Sequence, residues 1–489
     1  MDLGIIIFLV VLILFLAAFM LIRTTRMFKP VPIVEKLDLV DVDMLKIAEH
    51  LSEAVKIQTI SSDRDTIQLD QFKKLHYMLK STYPLINKQL KLEIIDQATL
   101  LFKWQGKNAE LKPILFAAHQ DVVPADEHTL EAWTYPPFSG EIADGFIWGR
   151  GTLDIKSQMI ALMEAVEKLL SEEYIPERTI YLGFGQDEEI GGKHGAAKIV
   201  EYLQKNNVQL AAMMDEGGTI MKQAVPGVDG SSALIGVAEK GHLSLRLHTE
   251  AIPGHSAMPG KDMAIGRLSK ALAQLAENPQ PPRMTAIKDL YAGLGSAASF
   301  GMQFVFANLW FFGPIARKQI EENPQTDASI RTTTALTIVK AGVKDNILPH
   351  TAEAIVNMRL LPGDTIAKVC ERVRKIINDD QVEFEPVEDG FWEASPVSPT
   401  DSPAYQLLSL TIRRVFEDIA VAPYLVMGAT DARYYAAISD AVYRFCPYEL
   451  SKDDLHRMHG IDERLSIEGL AKMVQFFHQL IWVWGKAEF

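Results

Sequence analysis

Three consecutive acids, Asp187, Glu188 and Glu189, close a β-type apolar run (Thr179, Ile180, Tyr181, Leu182), and Gly191 and Gly192 then turn the chain sharply. Neighbouring side chains leave an extended backbone in different directions, so Glu188 and Glu189 could divide two tasks, one holding a metal and the other moving a proton. A solvated acidic turn is the plainer alternative. The apolar run 113–118 ends in His119-Gln120-Asp121, where residues two apart share a face and Asp121 can reach the His119 ring to fix its tautomer; the same histidine could equally be structural. A Gly-punctuated loop, 148–157, delivers Asp154 to the start of a long helix, as its N-terminal cap or as a ligand. The run 208–214 also ends in acid, Asp215-Glu216-Gly217-Gly218.

Those runs must be strands, and helical spacing around 44–57, 68–82, 159–170 and 194–204 supplies the covering helices. The pattern predicts an α/β fold with an open, mostly parallel sheet and helices on both faces. In such sheets ligands collect outside the carboxyl ends of the strands, where His119, Glu188, Glu189 and Asp215 all fall. From Gly241 the pattern changes. Strand 241–250 alternates Leu243, Leu245 and Leu247; helix 263–276, strands 334–339 and 352–360, helix 365–377 and strand 382–387 follow. The order βαββαβ describes a ferredoxin-like α+β unit inserted into the larger domain. Helices at 405–416 and 467–484 complete that domain. The boundaries expected are 1–29, 30–240, 241–390 and 391–489, with an apolar insertion near 283–330.

The chain has 489 residues and a formal net charge of −14, which argues against a nucleic-acid groove. Two cysteines, Cys370 and Cys446, build neither a disulfide framework nor a Cys-rich zinc module. Any metal must therefore sit on His and carboxylate ligands. Residues 3–22 carry no charge and are long enough to span a bilayer as an N-terminal transmembrane helix. Arg23, Arg26 and Lys29 on its C-terminal flank predict a cytoplasmic catalytic body by the positive-inside rule, and Pro30 to Pro32 a short stiff spacer.

Ala118-His119-Gln120-Asp121-Val122-Val123-Pro124, Gly149-Arg150-Gly151-Thr152-Leu153-Asp154, Asp187-Glu188-Glu189-Ile190-Gly191-Gly192, Asp215-Glu216-Gly217-Gly218, Gly254-His255-Ser256, Asn346-Ile347-Leu348-Pro349 and His459-Gly460 recur in one order. Together they resemble the dizinc hydrolases of peptidase family M20, above all its carboxypeptidase S and N-fatty-acyl-amino-acid hydrolase/synthase branch, from about residue 45 onward. The resemblance implies two Zn2+ ions: Asp154 bridging, His119 and Asp215 on one, Glu189 and His459 on the other. His456 competes with His459, which precedes the matching glycine. It also implies Glu188 as general base, Asp121 orienting His119, and substrate contacts from His255, Asn346, Arg359 and Thr430. His255 would be supplied by a partner's lid in dimeric members, a homodimer through the inserted domain.

The implied activity is hydrolysis of an amide beside a free α-carboxylate, in an N-acyl amino acid or a short peptide. The alternatives are a carboxypeptidase acting mainly on dipeptides and a catalytically silent binding protein. Residues 290–316 are uncharged and rich in Phe300, Phe304, Phe306, Trp310, Phe311 and Phe312. They are expected either to line an acyl groove or to touch the bilayer near the anchor.

Overall fold

The computed structural model describes residues 3–28, 34–35, 37–62, 67–223, 227–417 and 419–489; Lys29 and the Pro30 to Pro32 spacer lie outside them. The main sheet runs in the order Lys91–Ile95, Thr99–Trp104, Ile180–Gly185, Ile114–His119, Ala212–Asp215, Val442–Arg444, Ser231–Glu239, Ile220–Lys222, Glu449–Leu450, with Ala420–Val426 also paired to Ser231–Glu239. It is mixed rather than mostly parallel. The centre, from Ile180–Gly185 to Val442–Arg444, is parallel, while antiparallel pairs occur on both sides of it.

Central strands Ile114–His119 and Ile180–Gly185 are buried along their whole length, as expected where helices cover both faces. Helix Lys156–Ser171 packs on one face with Ile467–Lys486, whose Trp484 is fully buried and donates from Nε1 to Ala404 O at 3.2 Å. Helix Ala196–Lys205 and Tyr435 cover the other face. The Asp154 loop and the His119 strand therefore meet on a rigid frame.

Residues 241–392 hold a four-stranded antiparallel sheet in the order Thr333–Ala341, Thr351–Leu360, Gly241–Glu250, Val382–Trp392. Helices Ala264–Glu277 and Ile366–Ile377 bury one face of it through Leu243, Leu245 and Leu247. Strand Thr333–Ala341 is an edge and exposes Leu336, Ile338 and Val339.

Helix Leu3–Met27 is long and apolar enough to cross a membrane, and most of its apolar surface is exposed. Its last turns dock on the insertion, whose uncharged stretch 290–316 falls within the helices Thr285–Leu294, Phe300–Ala307 and Leu309–Glu321 and the links between them. Asn308 donates from Nδ2 to Met20 O and Thr24 Oγ1 (both 3.3 Å), Arg23 Nε donates to Ala307 O (2.6 Å), and the Phe19 and Trp310 rings meet edge-on. Phe28 is buried with Ile287, Tyr291 and Phe306. Phe300, Trp310 and Phe311 remain about half exposed beside the helix. Neither Phe304 nor Phe311 lines the large cleft that holds Asp154 and Arg359, or the two cavities that share Pro423.

Candidate active site

Ile114–His119 carries His119 to its carboxyl end, where the ring is buried. Nδ1 lies 2.9 Å from the Asp121 carbonyl oxygen and 3.3 Å from Asp121 Oδ1, so an Nδ1–H tautomer leaves the Nε2 lone pair facing inward. Nε2 meets Asp154 Oδ1 at 3.0 Å and Glu216 Oε1 at 3.4 Å. On the other side of Asp154, His459 Nε2 lies 2.9 Å from Asp154 Oδ2 and 3.3 Å from Glu189 Oε2. At these distances an imidazole nitrogen and a carboxylate oxygen attract one another only with a proton or a metal ion between them. His119, Asp154 and Glu216 form one set of potential metal ligands, and Asp154, Glu189 and His459 a second.

The electrostatics follow from this crowding. Burial raises the Glu188 carboxyl well above the usual range, reinforced by Glu216. Burial and Asp154 push Glu216 up to about 8, and the same two causes raise Glu189. Burial would raise Asp154 too, yet contacts with His119 and His459 hold it below the usual carboxylate range. Glu189 Oε1 is buried with no hydrogen-bond partner among the described residues. Carboxylates and imidazoles gathered this closely offer a cradle for divalent cations.

The supports are equally specific. The acid run forms a single 3-10 turn, Glu188–Ile190, rather than extended backbone. Asp121 pins it, Oδ1 accepting from Glu188 N at 3.1 Å and Oδ2 from Glu189 N at 3.2 Å. Gly191 and Gly192 then take φ of 113° and 69°, which side-chain-bearing residues rarely adopt. Buried Glu463 holds the Asp154 loop: Oε1 accepts from Gly151 N (2.9 Å), Leu153 N (2.8 Å) and Asp154 N (3.2 Å), and Oε2 from Arg150 Nη1 (2.6 Å). Arg150 Nη2 also reaches the carbonyls of His459 and Gly460, each at 3.2 Å. One ion pair thus ties the two sides of the ligand set together.

A cleft of about 1010 Å³ opens over these groups. Asp154, Glu188, Glu189, Glu216 and His459 form its floor, and Arg359 and Trp392 reach it from the smaller sheet. The half-buried Arg359 guanidinium has no acidic partner among the described residues.

A model of peptidase family M20/M25/M40 matches residues 115–483. The chain belongs to that family. It is 41% identical over 442 residues to "Probable carboxypeptidase S-like 2" of Dictyostelium discoideum, covering 89% of this chain and 85% of that protein. It is 38% identical over 449 residues to the N-fatty-acyl-amino acid synthase/hydrolase PM20D1 of Xenopus tropicalis, covering 91% and 87%. To carboxypeptidase S of Saccharomyces cerevisiae it is 31% identical over 481 residues, covering 88% and 83%. Among solved structures, the M20 metallo-carboxypeptidase Sso-CP2 of Sulfolobus solfataricus shares the fold at TM-score 0.64 and 18% identity, covering 91% of this chain and all of that one. YXEP of Bacillus subtilis, titled a dinuclear metal-binding peptidase, does so at 0.56 and 14%, covering 90% and 98%. The chain is a hydrolase of family M20.

Against the sequence expectation for this M20 chain, one ligand changes. Glu216, not Asp215, joins His119 and Asp154. The two are neighbours at the end of a strand, where side chains alternate. Burial pushes the Asp215 carboxyl up to about 6, opposed by the Glu216 backbone N–H, His119 and Arg444 and reinforced by Glu239, and Asp215 in turn raises Asp431. His459 joins the cluster and His456 does not. Arg359 lines the cleft; Thr430 does too, but its hydroxyl donates to buried Glu239 at 2.7 Å. His255 and Asn346 are not in the cleft. They lie on the exposed ribbon where Gly254–His255 pairs with Ile347–Leu348.

Glu463 and Arg433 were missed. Arg433 stacks on Trp392 (4.8 Å) and donates to Gly191 O at 2.7 Å, steadying the acid turn. Glu463 offered one signal, an acid four residues past His459.

Proposed function

We propose that this M20 hydrolase is a membrane-anchored, dinuclear zinc amidohydrolase. It cleaves the amide of N-acyl amino acids or short peptides next to a free α-carboxylate. The observation that carries the reading is the Arg359 guanidinium, without an acidic partner among the described residues, in the same cleft as the His119–Asp154–His459 cluster. A guanidinium without an acid partner suits bidentate binding of a carboxylate.

The donor set fits the metals: imidazole and carboxylate ligands without thiolates, acceptors converging at 2.9–3.4 Å, and an orphaned Glu189 Oε1. His119, Asp154 and Glu216 would hold one ion and Asp154, Glu189 and His459 the other. When bound, such a pair supplies Lewis acidity, lowering the pKa of water and polarising the amide carbonyl. Glu188, on the cleft floor, takes the proton of the attacking water and hands it to the leaving amine as the C–N bond breaks. Arg359 fixes the α-carboxylate. Asp121 holds His119 and the Glu188–Glu189 turn in register.

The small sheet contributes Arg359 and Trp392 to one wall, which supports a lid role. His255 and Asn346 sit too far out to serve their own cleft, and strand Thr333–Ala341 exposes Ile338 and Val339 along an unpaired edge. Both features support a homodimer in which His255 of one copy serves the other. The exposed apolar helix Leu3–Met27, with Trp310 and Phe311 beside its C-terminal turns, supports anchoring in a bilayer. The test uses full-length protein in detergent and follows release of the free amino acid from a long-chain N-acyl amino acid and from a dipeptide with the same C-terminal residue. Turnover of neither would overturn the reading.

A further inference from the structure

A second cavity adjoins the cleft. Tyr424, half-buried on strand Ala420–Val426, is a wall of the cleft and also of this cavity of about 160 Å³. Apart from Arg283, Thr285 and Asp289, that cavity is lined by apolar side chains, among them Val237, Ala286, Leu361 and Leu425. On its far side Asp289 and Pro423 are shared with a third cavity of about 540 Å³, whose walls include Met27 and Phe28 at the end of the N-terminal helix. Helix Thr285–Leu294 forms the roof and is seated tightly on Ala420–Val426. At Gly293 a Cβ would lie 2.6 Å from Ala422 Cβ, so the two elements touch without a side chain between them. The space near Ala286 is therefore bounded by well-packed walls. The Phe28 ring lies against Gly295, joining the same insertion to the end of the N-terminal helix.

We propose that the cavity under Ala286, entered past Tyr424, is the acyl-chain subsite of this enzyme, and that its ligand is the alkyl tail of an N-acyl amino acid. This rests on the amidohydrolase reading above and narrows its substrate class. The carboxylate goes to Arg359, the scissile amide lies over the Asp154 cluster, and the tail leaves the cleft through this cavity toward Met27 and Phe28. A dipeptide can offer this cavity no more than one side chain, whereas an acyl tail can run along it. Burial of alkyl surface raises binding by about fourfold per methylene, so chain length should be read out directly as kcat/KM.

The experiment uses full-length protein in detergent and a series of N-acyl glycines from acetyl to palmitoyl. In the wild type kcat/KM rises with chain length, by up to about fourfold per methylene, and levels off once the cavity is filled. Ala286→Trp should flatten that rise, lowering the long-chain to acetyl ratio at least tenfold. A palmitoyl-type substrate bearing a terminal diazirine should label helix Thr285–Leu294 or strand Ala420–Val426 in the wild type, a readout independent of how the variant folds. An unchanged ratio in Ala286→Trp, or labelling only elsewhere, would overturn the subsite and leave the amidohydrolase standing. Cleavage of dipeptides with no N-acyl glycine turned over would overturn the subsite while leaving peptide hydrolysis intact. Turnover of neither class would overturn both.

Discussion

The two carboxylate oxygens of Asp154 face two different histidines, Oδ1 lying 3.0 Å from His119 Nε2 and Oδ2 2.9 Å from His459 Nε2. Two residues more than three hundred positions apart in the chain are thus brought to one side chain, and the loop carrying it is fixed from below by Glu463. Asp154→Asn should therefore empty both metal positions together. Metal analysis of dialysed protein is expected to fall from two equivalents toward none, with kcat/KM down by a hundredfold or more, beyond the usual 10–100-fold loss for supporting residues. Retention of one full equivalent would mean that Asp154 does not bridge.

Glu216 and Asp215 can be told apart the same way. Glu216→Gln is expected to lower metal affinity and activity, because its Oε1 faces His119 Nε2 at 3.4 Å. Asp215→Asn should keep its metal, since Asp215, although it feels His119 as well as Arg444 and Glu239, belongs to neither candidate ligand set. Competition with a chromogenic chelator measures both. The reverse pattern would restore Asp215 as ligand.

Glu188→Gln keeps the shape of the cleft floor but removes the proton carrier. Turnover should fall by roughly 10²–10⁴-fold with metal content unchanged, because Glu188 belongs to neither ligand set. Equal turnover in wild type and variant would exclude Glu188 as the base.

The sheet centre and the strands of the small sheet were legible because fully apolar runs and strict alternation leave little choice of element. His119 and Asp154 could be located because each sits where a strand or a Gly-rich loop must end. The choice between Asp215 and Glu216 could not be read, since both end the same strand and only its twist decides which faces His119. Short strands such as Val442–Arg444 carry too few residues for a period to show. Arg433 acts through Trp392 and Gly191, contacts made across some forty and two hundred and forty residues of chain, which no local pattern reports.

Lys240 gives a pH test of stability remote from the metal cluster. Burial, with help from Arg359, lowers its ammonium to about 8 from an ordinary 10.5, against the opposing pull of Asp327 and Asp364. Its Nζ donates to Ala328 O and Arg331 O, both at 2.9 Å. Below pH 8 both folded and unfolded chains are protonated, and the folded chain bears the full cost of the buried charge. Between about 8 and 10.5 only the unfolded chain still holds the proton, so stability rises with pH there, by a few kcal/mol at most at about 1.4 kcal/mol per unit. The difference in chemical-denaturation midpoint between wild type and Lys240→Met should therefore grow in favour of the wild type across that window. A difference constant with pH would show that Lys240 titrates normally.

Substitution of Arg359 tests whether the enzyme reads a free carboxylate. Its guanidinium lines the cleft without an acidic partner among the described residues, so a substrate carboxylate gains a charge-assisted pair and a C-terminal amide does not. Hydrogen bonds to charged groups contribute about 1.5–3 kcal/mol, so the wild type should prefer the free acid over its amide by roughly 10–100-fold in kcat/KM. Arg359→Ala should bring that ratio toward one, mainly by weakening the free acid. Arg359→Lys should recover part of it, since an ammonium keeps the charge but loses the planar fork. An equal loss on acid and amide in Arg359→Ala would assign the residue to the packing of the cleft wall, beside Trp392, rather than to the substrate.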